Sequence, residues 1–280
     1  MSFHIVSLLV SLILLSPQYF HLNIFTALAS QELYNADGTP RFSYNEATGR
    51  GPSNWSNLDP NWFLCRNGTR QSPINIGGVT IRPNLGPLFR NYTPANATLV
   101  NARFGIVVEW NGNAGNITIN GTVFILKNAH WHTPSEHTIL GIRYPLELQL
   151  VHESSTGNKA IIGILYRFGL LPNRFLSRLL PQINALGNVT LGNVTAEINL
   201  GRIDPTIISF GIGRSYYRYN GSLTAPPCSE NVTWTVLPEV QSVLRAQVQA
   251  LREAVDPGFE QNARPIQPLN GRTVAISIRI

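Results

Sequence analysis

Leu126-Lys127-Asn128-Ala129-His130-Trp131-His132-Thr133-Pro134-Ser135-Glu136-His137, followed downstream by Glu147-Leu148-Gln149-Leu150-Val151-His152, is the sequence on which the reading of this chain turns. Both pieces belong to strand-like runs, Val123 to His132 and Leu146 to His152. Side chains on a strand alternate faces, so His130 and His132 project to the same side, about 6 to 7 Å apart. That spacing suits two adjacent ligands of one tetrahedral zinc, and a third ligand has to come from another segment. Asn128 faces the same side as the two histidines. His152 lies three positions after Gln149 and therefore on the opposite face of its strand, and His137 lies beyond the end of the first strand.

Outward from this pair the pattern stays strand-rich. Thr98 to Trp110, Asn116 to Ile119 and Ala160 to Phe168 read as further strands, with Asn-Gly and Gly-Asn turns between several of them. The expected fold is mainly β (α+β), a large, twisted, mostly antiparallel sheet with a few peripheral helices. One helix is predicted around Ser242 to Ala254, where Val243, Leu244, Gln247, Val248 and Leu251 make a 3.6-residue stripe that is apolar but for Gln247. A five-residue repeat, Gly187-Asn188-Val189-Thr190-Leu191 and Gly192-Asn193-Val194-Thr195-Ala196, is too short for a solenoid and reads as a surface loop.

The first 29 residues read as a secretory leader. Ile5 to Leu15 is a short apolar core and Ala27-Leu28-Ala29 a small-x-small cleavage site, although the usual basic start is missing. No uninterrupted run of about 20 apolar residues suggests a membrane-spanning helix. Residues 30–280 carry no linker or low-complexity break and are expected to form one domain. The only two cysteines, Cys65 and Cys228, meet an oxidising compartment in such a protein, which favours a disulfide over two buried thiols. Ten Asn-x-Ser/Thr triplets occur, at Asn54, Asn67, Asn91, Asn96, Asn116, Asn120, Asn188, Asn193, Asn220 and Asn231, so several N-linked glycans are expected. The net charge of +6 is carried almost wholly by arginine and forms no basic run, which argues against nucleic acid as a partner.

The chain resembles the α-class carbonic anhydrases, of the extracellular plant type. The family pattern is His-x-His, then Ser-Glu-His-Thr, then Glu-Leu-His-Leu-Val-His, and this chain reads His130-Trp131-His132, Ser135-Glu136-His137-Thr138 and Glu147-Leu148-Gln149-Leu150-Val151-His152. Arg70-Gln71-Ser72-Pro73-Ile74-Asn75-Ile76, Tyr219-Asn220-Gly221-Ser222-Leu223-Thr224-Ala225-Pro226-Pro227-Cys228, Val232-Thr233-Trp234 and Asn262-Ala263-Arg264-Pro265-Ile266-Gln267-Pro268-Leu269 match further family segments in order. The resemblance implies the α-carbonic anhydrase fold, zinc as cofactor, carbon dioxide and bicarbonate as substrates, and a bridge between Cys65 and Cys228 that tethers the loop holding Thr224.

By the same resemblance His130 and His132 are zinc ligands, Thr224 and Glu136 orient the zinc-bound hydroxide, and Asn128 and Glu147 steady the ligands. Val151, Ile161, Leu223, Val232 and Trp234 match the apolar wall of the substrate pocket, and each is equally explained as core. Two positions depart from the pattern. Gln149 replaces the third zinc ligand by a neutral amide, a poorer donor than imidazole, with Glu147 placed to accept from its nitrogen. Phe104 stands where active members commonly place the proton-shuttle histidine, and phenylalanine carries no proton.

Gln149 within Leu148-Gln149-Leu150-Val151-His152-Glu153-Ser154 resembles the dioscorins, carbonic-anhydrase-like storage proteins of yam tubers. The expectation is therefore a secreted glycoprotein, extracellular or vacuolar, with weak or lost carbonate dehydratase activity and a storage role. An active enzyme with a His-His-Gln zinc site, and a module that binds a small anion or sugar in the retained cleft, remain as alternatives.

Overall fold

A computed structural model describes residues 33–36, 38–187, 196–210 and 215–277. The leader and most of the five-residue repeat, with Asn188 and Asn193, lie outside these residues.

The strands in chain order are β1 (Asn75–Ile76), β2 (Thr80–Ile81), β3 (Phe89–Tyr92), β4 (Ala95–Asn101), β5 (Ile106–Trp110), β6 (Gly115–Ile119), β7 (Thr122–His132) and β8 (Thr138–Ile139). They continue as β9 (Ile142–Arg143), β10 (Leu146–Ser154), β11 (Lys159–Phe168), β12 (Ala196–Ile203), β13 (Tyr216–Ser222), β14 (Glu230–Val236), β15 (Gln241–Val243) and β16 (Ala275–Ser277). Thirteen of them form one sheet, whose main path runs β12-β4-β5-β7-β10-β11-β14-β13-β16-β2. Most pairings are antiparallel, with β11 parallel to β14 and β15 and β16 parallel to β2. This is the mainly β architecture that the alternating sequence predicts.

β10 shows why the sheet forms a site. Every residue from Leu146 to His152 is buried, yet the strand alternates Leu146, Leu148 and Leu150 with Glu147, Gln149 and Val151. The leucine face joins the main core with Leu126, Ala129 and Trp131 of β7. The helix Arg174–Gly187 contributes Phe175, Leu176, Leu179, Ile183 and Leu186 to that core, and Phe175 stacks on Trp131 with ring centroids 5.7 Å apart. The other face of β10 carries polar groups that must find partners inside the protein.

Three boundaries differ from expectation. Thr98 to Trp110 is not one strand: Asn101 Oδ1 accepts from the Arg103 backbone N–H (2.8 Å), Arg103 adopts φ 68°, and the chain reverses between β4 and β5. The helix expected over Ser242 to Ala254 spans Arg245–Glu253, and Gln241–Val243 pairs with β11 instead. Gln247, the polar residue of its apolar stripe, clamps the two helices together. Its Nε2 donates to Asn173 O (2.9 Å) and its Oε1 accepts from Asn173 N (2.8 Å). The helix Arg174–Gly187 was not expected at all, because Pro181 interrupts its pattern and removes one intrahelical bond. Five buried apolar side chains and the Asn173 Oδ1 cap on Leu176 N (2.9 Å) offset that loss.

Cys65 and Cys228 are bonded, with Cα atoms 5.0 Å apart and a sequence separation of 163. Arg264 Nη2 donates to Cys65 O (2.7 Å) and Gln71 Nε2 to Cys228 O (3.1 Å), and Arg264 Nη1 donates to Gln71 Oε1 (2.9 Å), which ties both ends of the bridge to one buried network. For a loop of this length the chain-entropy contribution is about 5 kcal/mol. Cys65→Ser is expected to lower the unfolding free energy by up to that amount, measured by urea denaturation. A loss below about 1 kcal/mol would show that the loop is held by its other contacts alone.

Candidate functional site

The site is built as rows across the sheet. Val107, His130, Gln149 and Gly163 face one another on β5, β7, β10 and β11. On one side of this row His132, Glu147 and Leu165 are in register, and on the other Asn128, Val151, Ile161, Trp234 and Tyr219. Gln149 is thus directly opposite His130, and Glu147 opposite His132. Val151, Ile161, Val232 and Trp234 are buried in one cluster with Ile74 and Tyr219, and Leu223 packs against it, half-buried.

Both imidazoles are oriented from behind. His132 Nδ1 donates to the Asn262 carbonyl (2.7 Å), which leaves its Nε2 buried without a hydrogen-bond partner. That nitrogen lies 3.4 Å from Glu136 Oε2, within ion-pair distance but not hydrogen-bonded. His130 Nδ1 is 3.2 Å from Asn128 Oδ1 and donates to it. Burial and the charge of His132 push the His130 imidazole down to about 3, although a hydrogen bond with Gln149 and the charge of Glu147 work in the opposite direction. At neutral pH the ring is uncharged.

Gln149 is 1% exposed, and its amide nitrogen is fully engaged. Nε2 donates to Glu136 Oε2 (2.8 Å) and to Glu147 Oε1 (3.1 Å). These two carboxylate oxygens fix which end of the amide is nitrogen, since an amide oxygen placed there would face two acceptors. Glu147 has further partners. Its Oε2 accepts from the backbone N–H groups of Glu136 (2.9 Å) and His137 (2.8 Å), and its Oε1 accepts from His137 Nδ1 (2.8 Å). Burial raises the Glu147 pKa, but the His137 charge and these hydrogen bonds outweigh it and hold the carboxyl at about 2.

The network continues into the core. Tyr219 Oη lies 2.7 Å from His137 Nε2 and 2.8 Å from Ser72 Oγ, and Ser222 N donates to Ser72 Oγ (3.1 Å). Gly221 makes room for it: a Cβ there would lie 2.1 Å from Ser72 Oγ and 2.7 Å from the Tyr219 ring. Three residues without an assigned role in the sequence reading matter here. Asn262 supplies the carbonyl for His132, His137 bridges Glu147 to Tyr219, and Arg264 donates its backbone N–H to Glu136 Oε1 (2.9 Å). Asn262 and Arg264 lie outside any strand, so no periodicity marks them.

The resemblance implies a hydrogen bond from Thr224 to Glu136. Thr224 is buried, but among the described residues it makes no side-chain hydrogen bond, and the Glu136 carboxylate accepts from Arg264 and Gln149 instead. Phe104 belongs to an aromatic cluster, with ring centroids 5.2 Å from Phe42, 6.0 Å from Tyr34 and 6.4 Å from Phe259.

A family model described as eukaryotic-type carbonic anhydrase matches residues 50–278. The chain belongs to the α-carbonic anhydrase family. It is 47% identical over 239 residues to alpha carbonic anhydrase 4 of Arabidopsis thaliana, covering 85% of this chain and 86% of that protein. It is 43% identical over 235 residues to dioscorin dioA3 of Dioscorea japonica, covering 83% and 84%. A crystal structure of dioscorin complexed with ascorbate superposes with a TM-score of 0.81 at 42% identity, covering 85% of this chain and 98% of that one.

The α-carbonic anhydrases are zinc enzymes, and the donor set of this chain does not match a catalytic zinc centre. Such a centre takes three protein ligands drawn from histidine, carboxylate and thiolate, with a fourth position open. Here two imidazoles present Nε2 lone pairs, while the third position holds a neutral amide whose nitrogen is bound to two carboxylates. Among the described residues no group of three or more His, Cys, Asp or Glu side chains is arranged to hold a metal ion.

Proposed function

We propose that this protein is a secreted glycoprotein of the α-carbonic anhydrase family whose carbon dioxide hydration is weak or lost, and that it serves as a dioscorin-like store. The observation that carries this reading is the Gln149 side chain, which spends its amide nitrogen on Glu136 and Glu147 where a third strong metal donor is needed. The Glu136 carboxylate is thereby engaged by Gln149 and Arg264 rather than by Thr224. In this reading residues 1–29 are a leader removed on entry to the secretory pathway, and the mature domain resides outside the cell or in the vacuole. The 43% identity to a dioscorin supports the storage role, which accumulation in a storage tissue would test.

Stopped-flow carbon dioxide hydration, with zinc supplied, tests the loss of activity. The expected rate is close to the buffer background. Phe104→His alone should leave it unchanged, because a proton shuttle has nothing to regenerate where no zinc-bound hydroxide forms. Rapid, zinc-dependent hydration by the unaltered chain would reject the proposal and establish a His-His-Gln enzyme.

A second reading is favoured by one finding, the dioscorin structure complexed with ascorbate. The retained cleft then binds a small anion of that kind. Saturable ascorbate binding to zinc-free protein by calorimetry supports this role, and no detectable heat up to millimolar ligand rejects it.

A further inference from the structure

The eight candidate glycosylation triplets among the described residues are not equivalent in the fold. The amide nitrogen of Asn54 donates to Gly49 O (2.7 Å) and that of Asn67 to Phe63 O (3.3 Å), so both are already engaged. Asn96, Asn120, Asn220 and Asn231 are exposed.

Asn91 has its amide free among the described residues and stands at the edge of the sheet. It lies on β3, which pairs with β6 on one side and with no described strand on the other. Tyr92 turns inward, its hydroxyl 2.8 Å from His152 Nε2, and the Arg90 guanidinium sits over the Phe210 ring. Strand alternation then places Phe89 and Asn91 together on the outer face. Phe89 is 66% exposed there, in one row with Thr118 of β6 and Val123 of β7, itself 47% exposed. An aromatic ring standing in water at an open sheet edge is an association hazard that folded proteins ordinarily cover. The Asn91 amide has no hydrogen-bond partner among the described residues, and Thr93 completes the Asn-Tyr-Thr triplet.

We propose that Asn91 carries an N-linked glycan whose first sugar lies against the Phe89 ring and shields the β3 edge. The proposal rests on the chain entering the secretory pathway. The donor is a lipid-diphosphate-linked oligosaccharide. Asn91 Nδ2 loses one proton and bonds to the anomeric carbon of N-acetylglucosamine, whose bond to the diphosphate oxygen breaks, and the lipid diphosphate departs with the electron pair. A pyranose ring has an apolar C–H face, and Phe89 offers it an aromatic face two residues away on the same side of the strand. Asn116, directly opposite Asn91 on β6, starts a second triplet but is only half-exposed and would direct its sugar to the same spot. It is therefore left bare.

The test is occupancy mapping on the full chain made in a plant secretory host. Enzymatic release of glycans in heavy-oxygen water converts each occupied asparagine to a labelled aspartate that peptide mass spectrometry locates. Asn91 should be occupied in most molecules and Asn116 empty in the same molecules. Thermal unfolding reads the contact itself: glycan removal should lower Tm by about 2 °C in the unaltered protein. The shift should vanish in Phe89→Ala and in Asn91→Gln, whose remaining glycans serve as the comparison. Occupancy elsewhere with Asn91 mostly empty, double occupancy of Asn91 and Asn116, or an undiminished shift in Phe89→Ala would each overturn the proposal. If no triplet is occupied, secretory entry fails along with it.

Discussion

Gln149→His is expected to turn this protein from a poor zinc binder into one that purifies with zinc and hydrates carbon dioxide. The replacement adds a third nitrogen donor to the row that already holds His130, with His132 beside it, and both of those rings are oriented from behind by Asn128 and Asn262. Loss of an outer hydrogen-bonding partner alone changes metal affinity by about 10- to 100-fold, so gaining a direct ligand should raise it by more than about 100-fold. The substitution also takes the amide away from Glu136 Oε2, which becomes free to accept from Thr224. Zinc affinity by competition with a chromophoric chelator and hydration rates by stopped flow give the two readouts. Adding Phe104→His to this variant should raise turnover further in weak buffer, where proton removal limits the rate. If Gln149→His binds zinc no better than the unaltered chain, the defect lies in the placement of His130 and His132 and not in the glutamine.

A steep loss of stability in mild acid is the second large effect. His152 is buried between the Tyr92 hydroxyl, 2.8 Å from its Nε2, and the Ala160 carbonyl, 3.2 Å from its Nδ1. Burial holds this ring down at about 4, against an ordinary value of 6.5, although its backbone hydrogen bonds act in the opposite direction. Burial likewise holds His130 at about 3. Both folded values are depressed, so the unfolded chain takes up protons first as the pH falls. The stability is complete above about pH 6.5 and declines below it. With nearly two more protons bound in the unfolded state, the slope between about pH 5.5 and 4.5 is roughly 2 to 3 kcal/mol per pH unit. Glu147, held at about 2, adds a further loss only from about pH 4.5 downward. Against a typical total of about 5–15 kcal/mol, this removes a large part of the stability before pH 4 is reached. Urea denaturation across this range measures it, and His152→Gln should reduce the slope by about one proton's worth. A stability that is flat from pH 7 to pH 5 would contradict the burial argument for both rings.

Strand parity accounts for how much of the site could be read from residues alone. A period of two on β7 and β10 places Asn128, His130, Glu147, Gln149 and Val151 on one face, and the sheet registers place Gln149 against His130. The disulfide followed from compartment and count, with the resemblance naming its place. Parity carries no information across a loop, which is why Asn262, Arg264 and the engagement of Glu136 by Gln149 were not legible: each depends on segments more than 10 residues apart meeting in space. The helix Arg174–Gly187 was hidden by Pro181, a local rule overridden by the burial of Phe175, Leu176, Leu179, Ile183 and Leu186. The break between β4 and β5 was hidden for the opposite reason. Strand-forming residues flank it on both sides, and the turn is made by a side-chain-to-backbone bond at Asn101 and by Ala102 N donating to Gly105 O (2.9 Å), with Gly105 as a single weak turn signal.

The most direct test of the lost metal centre is the zinc content of the unaltered protein, purified without chelator and dialysed against zinc-free buffer. Inductively coupled plasma analysis should find far less than one zinc per chain, because two imidazoles and an amide with its nitrogen committed to Glu136 and Glu147 hold the ion weakly. Near-stoichiometric zinc retained through dialysis would show that Gln149 is a competent ligand and would contradict the account.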